Sequence, residues 1–194
     1  MNIKLLAASA VLVGILWSSV SYASKKNDID IKKFPQEFGN ATKQRLNAIE
    51  GAVFHYTLTK RETTADVLRA RGFATIYLVC RNGDIFEFVN PDKFYTETTG
   101  GGANRFTVGI DLEHFVGQDW PEDQIYASAG LLAYLSDKNK FKIAVAPDGE
   151  IADYSEWKKL GYTVFRHRNF LPTECPGDFP LEKVGEIASG LTGS

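Results

Sequence analysis

Ala74–Val89 reads ATIYLVCRNGDIFEFV. Two apolar, β-branched and aromatic runs, Ala74–Cys80 and Asp84–Val89, flank Arg81-Asn82-Gly83, and Asn-Gly tolerates the positive φ of a tight hairpin turn. The stretch predicts two antiparallel strands. Working outward, Val53–Leu58 (VFHYTL) and Thr107–Glu113 (TVGIDLE) predict buried strands on either side of it. Phe141–Ala146 (FKIAVA) predicts a fifth strand and Tyr162–Arg166 (YTVFR) a short one running into His167. Between them lie helical signals. Thr63 or Thr64 is placed to cap a helix over Ala65–Arg71 that Gly72 closes. Asp119 with Glu122 is spaced as a capping box ahead of a helix over Pro121–Ser136, with Ile125, Ala129, Leu132 and Leu135 on one face. Tyr154–Leu160 predicts a short helix ended by Gly161, and Leu181–Leu191 a last helix opened by Pro180. Strands that alternate with helices, plus one hairpin, predict an α/β fold: a single domain with a central mixed β-sheet flanked by helices.

The 194-residue chain is 44% hydrophobic, 24% charged and 12% aromatic, with a formal net charge of −2. Such a composition excludes a largely disordered chain and implies no general affinity for nucleic acid. Two cysteines are too few for a disulfide framework. Met1–Ala23 reads as a secretory signal: Lys4 supplies a positive start, Leu5–Trp17 carries no charge, and Ser21-Tyr22-Ala23 places small residues where a signal peptidase needs them. The apolar stretch is short against the ~20 residues of a membrane span; an uncleaved anchor is the alternative. Cleavage after Ala23 leaves 171 residues with a net charge of −3, since Lys4 is the only charge removed. Ser24–Lys33 (SKKNDIDIKK) is polar, and residues 24–40 are expected to form a tether ahead of a domain over residues 41–194. The expected location is therefore exported, periplasmic or secreted, without stable membrane association once the signal is gone.

His55, His114 and His167 are the only histidines, and Cys80 and Cys175 the only thiols. Arg166–Phe179 (RHRNFLPTECPGDF) concentrates them: His167 leaves a strand, and Cys175 follows eight residues later in a proline-bounded turn. His55, from an earlier strand, completes a two-histidine, one-cysteine set. Three protein ligands leave one tetrahedral position open, the arrangement of a catalytic zinc. Two other readings stand beside it: hydrogen-bonded structural histidines, and a Cys80–Cys175 disulfide that removes the thiolate. Cys80, among Leu78 and Val79, reads as an inert buried thiol.

Four segments, in order, resemble those of the zinc-dependent N-acetylmuramoyl-L-alanine amidases, the superfamily that includes phage lysozyme-type amidases and peptidoglycan recognition proteins. VFHYT at Val53–Thr57 is similar to the strand carrying the first zinc histidine. IYLVCRNGDIFEF at Ile76–Phe88 is similar to the family hairpin, and TVGIDLEHF at Thr107–Phe115 to its central strand. RHRNFLPTECPGDF is similar to the last ligand pair, and Gln124 falls where the family helix often carries glutamine. The similarity spans Ala52–Leu191. It implies the amidase fold and one Zn2+ per chain, held by His55, His167 and Cys175. It also implies peptidoglycan or a muropeptide as substrate. Asp111 falls where many bacterial members place a catalytic glutamate. Thr173 falls where relatives carry Lys or Thr near the metal-bound water or the oxyanion.

The departures are specific. Thr75 stands where the recognition-protein branch has a water-assisting tyrosine; Tyr77 is two residues on. Asp111 is one methylene shorter than the usual Glu, and Glu113, on the same strand face by the period of two, competes for its role. Asp148–Gly161 looks like an insertion. Arg166 replaces a common glycine, and Thr-Gly-Gly-Gly-Ala-Asn replaces a Trp/His-Ala-Gly pattern in the Pro91–Phe106 loop. That loop, with three consecutive glycines, is expected to be a mobile surface segment or a rim over a cleft. His114 reads as a surface residue or a neighbour of the ligands. Trp120, Trp157 and Tyr95 are core residues or sugar-stacking platforms. The expected chemistry is hydrolysis of the amide between N-acetylmuramic acid and L-alanine, with Asp111 or Glu113 moving the proton and Thr173 donating to the oxyanion. Two alternatives are a non-catalytic or weakly catalytic zinc-containing peptidoglycan-binding protein and a Cys175–His167 thiol hydrolase.

Overall fold

The computed structural model describes residues 29–34, 38, 41–100 and 102–192. The expected signal at Met1–Ala23 lies outside them. Among the described residues, eight strands and four helices follow one another: β1 Ile31–Lys33, β2 Thr42–Gln44, β3 Gly51–Tyr56, α1 Arg61–Ala70, β4 Tyr77–Val79, β5 Ile85–Glu87, β6 Phe94–Thr96, β7 Thr107–Leu112, α2 Glu122–Asn139, α3 Tyr154–Lys159, β8 Val164–Arg166 and α4 Leu181–Leu191. Six strands form one sheet in the order β1-β5-β4-β7-β3-β8, and β2 and β6 form a separate pair. Only β4 and β5 run antiparallel within the large sheet; β1–β5, β4–β7, β7–β3 and β3–β8 are parallel. The mixed α/β sheet of the sequence reading is the observed one.

The hairpin closes as Asn-Gly predicts. Gly83 has φ +83, its N–H donates to the Cys80 carbonyl at 3.0 Å, and Cys80 N–H donates to the Asp84 carbonyl at 2.8 Å. β7 is buried along its whole length, as expected of a central parallel strand covered on both faces. Alternation then sorts its residues and those of β3. Ala52, Phe54, Val108, Ile110 and Leu112 join Ile125, Leu132, Leu135, Leu181 and Val184 in the larger core, under α2 and α4. Val53 faces the other way, into a smaller cluster with Ala103, Tyr154, Trp157, Phe165 and Phe170. Residues two along from Val53 and Gly109, namely His55 and Asp111, lie on that second face. Gly51 is required where β3 begins: a Cβ there would sit 2.0 Å from the Thr163 carbonyl oxygen.

Several sequence expectations are corrected. The described part of the 24–40 tether belongs to the fold: β1 pairs with β5, Phe38 is in the core, and Lys32 and Lys33 pair with Asp84 and Glu87, each at 2.6 Å. Helix α1 begins at Arg61, a turn before the expected start. The Thr63 and Thr64 hydroxyls donate back to the Lys60 carbonyl, and the Glu113 carboxylate accepts from Arg61 N–H at 2.9 Å. A cap supplied from another strand is invisible to local pattern. Asp119 and Glu122 form no capping box, because Pro121 is itself the N-cap. A residue before proline is kept out of the helical region, so Trp120 cannot open the helix. Phe141–Ala146 makes one bridge, Val145 to Val164, rather than a strand; the Thr163 hydroxyl takes the Lys142 carbonyl at 2.6 Å and the Ala144 N–H at 3.1 Å. The Pro91–Phe106 loop contains β6 and a 3-10 turn, Ala103–Arg105. Trp157 is core, with its indole N–H donating to the Asn169 carbonyl at 3.0 Å.

Candidate metal centre

His55 is the fifth residue of β3, Asp111 lies beside it in register on β7, and His167 follows directly on β8. All three thus come from the carboxyl ends of adjacent parallel strands, where open α/β sheets place their sites. Cys175 arrives from the loop between the 3-10 turn His167–Asn169 and α4. The ligand atoms of His55, His167 and Cys175 lie within 4.8 Å of one another. The two imidazole rings are 4.5 Å apart, and the Cys175 Sγ is 4.0 Å from His55 Nδ1.

The cysteine loop is held by its own backbone and by Arg168. Arg168 N–H donates to the Cys175 carbonyl at 3.0 Å, and its guanidinium donates to the Gly177 carbonyl at 2.5 Å. Two further guanidinium bonds, at 2.5 and 2.6 Å, engage both Asp148 carboxylate oxygens. The start of the expected insertion is thereby tied to the ligand loop by a bidentate ion pair. Tyr56 N–H donates to the Cys175 Sγ at 3.4 Å. Thr173 accepts the Cys175 N–H on its hydroxyl oxygen at 3.3 Å, which leaves the hydroxyl proton available to another acceptor.

Burial sets the protonation states. It pushes His55 well below the ordinary histidine value, and the neighbouring His167 adds to the effect. Burial also lowers His167, against a hydrogen bond to the Thr99 backbone that raises it. Both rings are therefore neutral near pH 7, the form that binds metal. Burial pushes the Cys175 thiol up to about 12, opposed by the Tyr56 N–H and reinforced by Asp111. A metal-free Cys175 is a thiol at neutral pH, a poor nucleophile, which argues against the thiol-hydrolase alternative. Cys80 and Cys175 are both free, which removes the disulfide alternative. Asp111 is pushed up to about 7 by burial, with the nearby Thr75 hydroxyl pulling the other way.

Glu113, the rival to Asp111, is placed elsewhere. Its two oxygens accept the backbone N–H groups of Arg61, at 2.9 Å, and Arg81, at 3.2 Å. It fastens the start of α1 and the hairpin turn to the end of β7. Glu113→Ala is expected to lower stability by about 1–3 kcal/mol, the cost of orphaning such donors, without altering metal binding. Denaturant unfolding alongside metal analysis checks this. His114 is buried, not a surface residue, and stacks on Trp120 at 3.6 Å, whose indole donates to Asp178 at 2.7 Å. Gln124 donates to the Val79 and Glu113 carbonyls and so docks α2 on the sheet ends. Tyr95 lies in β6, in the pair with β2, opposite Lys43. Thr75 donates to the Tyr77 carbonyl at 2.9 Å. Sequence reasoning missed Thr99, whose hydroxyl is 3.3 Å from His55 Nε2; a threonine in a glycine-rich loop carries no local signal of such a contact.

The model of the N-acetylmuramoyl-L-alanine amidase family matches residues 45–178. No curated protein sequence matches. Among solved structures, the N-acetylmuramoyl-L-alanine amidase LysC from Clostridium intestinale URNW superposes with a TM-score of 0.62 at 18% identity, over 81% of this chain and 95% of that one. The Staphylococcus aureus hydrolase AmiA, solved in complex with its ligand, gives a TM-score of 0.63 at 14% identity, over 96% and 95%. Drosophila peptidoglycan recognition protein SA gives 0.52 at 16% identity, over 76% and 86%. At these identities the likenesses establish the shared fold.

Proposed function

The chain belongs to the N-acetylmuramoyl-L-alanine amidase family, and from that premise we propose that it is an exported, zinc-dependent peptidoglycan hydrolase. The bond cleaved is the amide between N-acetylmuramic acid and the L-alanine of the stem peptide. The observation that carries the reading is the cluster of His55, His167 and Cys175 on the strand ends.

The residues fit a zinc ion. His167 Nε2 is buried without a hydrogen-bond partner, a costly state unless a ligand occupies it. Two neutral imidazoles and a cysteine that gives up its thiol proton on binding are donors that suit zinc, and three of them leave a position open for water. The chemistry zinc supplies when bound is Lewis acidity, which lowers the pKa of water toward 7 and polarises the scissile carbonyl.

The remaining work falls to the chain. Asp111, buried in register beside His55, takes a proton from the attacking water and returns it to the leaving amine. Thr173, its oxygen already engaged by Cys175 N–H, donates a hydrogen bond to the carbonyl oxygen as charge develops, which is worth up to about 3 kcal/mol. Tyr56 N–H and the Arg168 contacts hold the Cys175 sulfur in place for the metal.

Digestion of purified peptidoglycan tests the proposal. Stem peptides with a free N-terminal L-alanine are expected, their release abolished by a chelator and restored by zinc. Stoichiometric zinc with no cleavage would instead support a peptidoglycan-binding protein. The Thr75 hydroxyl, turned to the Tyr77 carbonyl where the recognition branch has a tyrosine, favours that second reading.

A further inference from the structure

We propose that Thr99 is a positioning residue for His55: its hydroxyl oxygen accepts a hydrogen bond from the His55 Nε2–H, which leaves the His55 Nδ1 lone pair turned toward Cys175. The inference rests on reading the cluster as a zinc site. Thr99 Oγ1 lies 3.3 Å from His55 Nε2, and the Cys175 Sγ lies 4.0 Å from the opposite nitrogen, Nδ1. A ring with one nitrogen against a hydroxyl and the other against a ligand sulfur has its roles divided by geometry. The nitrogen bonded to the outer partner carries the proton, and the other binds the metal.

Thr99 is itself held. It is 2% exposed, and Asn104 Oδ1 accepts the N–H groups of both Thr98, at 3.2 Å, and Thr99, at 3.0 Å. Asn104 belongs to the 3-10 turn Ala103–Arg105, and the Thr107 hydroxyl at the head of β7 donates to the Ala103 carbonyl at 3.0 Å. Gly100, at φ +83, turns the chain immediately after Thr99, where the Leu171 side chain packs against it. The segment that reads from sequence as a mobile glycine loop therefore delivers a fixed hydroxyl to the back of a ligand ring. Valine keeps the shape of threonine and removes that acceptor; serine keeps the acceptor.

Nitrogen-15 NMR of the metal-free protein, paired with zinc competition against a chelator, tests the proposal in wild type, Thr99→Val and Thr99→Ser. His55 is expected as the Nε2–H tautomer in wild type and Thr99→Ser, and as a mixture in Thr99→Val. Zinc affinity is expected to fall about 10- to 100-fold in Thr99→Val and to recover in Thr99→Ser. A wild-type His55 protonated on Nδ1 overturns the proposal even if the valine variant fails to fold. So does a Thr99→Val protein with wild-type tautomer and zinc affinity. If wild type shows the Thr99-dependent tautomer but binds no zinc, the zinc reading fails and the positioning role stands.

Discussion

His167→Ala and Cys175→Ser are each expected to abolish zinc retention and peptidoglycan cleavage together. His167 Nε2 is buried and unpartnered, and Cys175 is the one thiol in the cluster. Removing either leaves two protein ligands, which do not hold zinc against a chelator or a dilute buffer. The serine variant makes the sharper test. It keeps the size of the side chain and the Tyr56 N–H contact on its γ atom, so the fold is retained while the soft donor is lost. Zinc per chain is expected to fall from one to near zero, and stem-peptide release to background. Metal analysis and chromatography of digested peptidoglycan read the two losses on the same sample. Cleavage at the wild-type rate in either variant would sink the assigned centre.

Asp111→Asn separates chemistry from metal binding. The variant is expected to keep zinc and lose about 10²- to 10⁴-fold in turnover, the range for a positioned acid–base group. A second signature follows from its burial. In the metal-free protein Asp111 is pushed from the usual 3.8 up to about 7, so the folded state holds the proton more tightly than the unfolded chain. That contribution to stability is full below about pH 4 and is lost as pH rises from there through 7, at about 1.4 kcal/mol for each pH step crossed. Asparagine has no proton to lose. Denaturant unfolding of the two metal-free proteins between pH 4 and 8 is expected to show the wild type losing ground to the variant as pH rises. A constant difference across that range would mean that Asp111 is not a buried, proton-holding group.

Much of this site was legible because its residue types are rare in the chain. Two of only three histidines and one of two cysteines form the cluster, and the His167-to-Cys175 spacing sits in a single turn-rich segment. Strand periodicity also placed Asp111 on the same face as a ligand once β3 and β7 were known to pair in register. The same periodicity made Glu113 an equal candidate. What separated them was the approach of Arg61 and Arg81, whose backbone N–H groups occupy both Glu113 oxygens. Neither donor is close in sequence, so no local reading could find them.

Local signals also failed where distant groups supplied what the sequence lacked. The start of α1 was set by Glu113, and β1 was formed by the partner strand β5 from a polar stretch that looked like a tether. Phe141–Ala146 had the composition of a strand but makes a single bridge to β8, with the Thr163 hydroxyl bonded to its Lys142 and Ala144 backbone groups. By itself, the sequence determined the hairpin, the alternation of strands and helices, and the donor atoms available to a metal, because these depend on side-chain chemistry and short-range backbone geometry. Only the tertiary structure decided which carboxylate lies beside His55, that both cysteines are free thiols, and that Thr99 backs the ligand ring. Those outcomes depend on burial and on contacts between segments tens of residues apart, which exist only once the sheet has assembled.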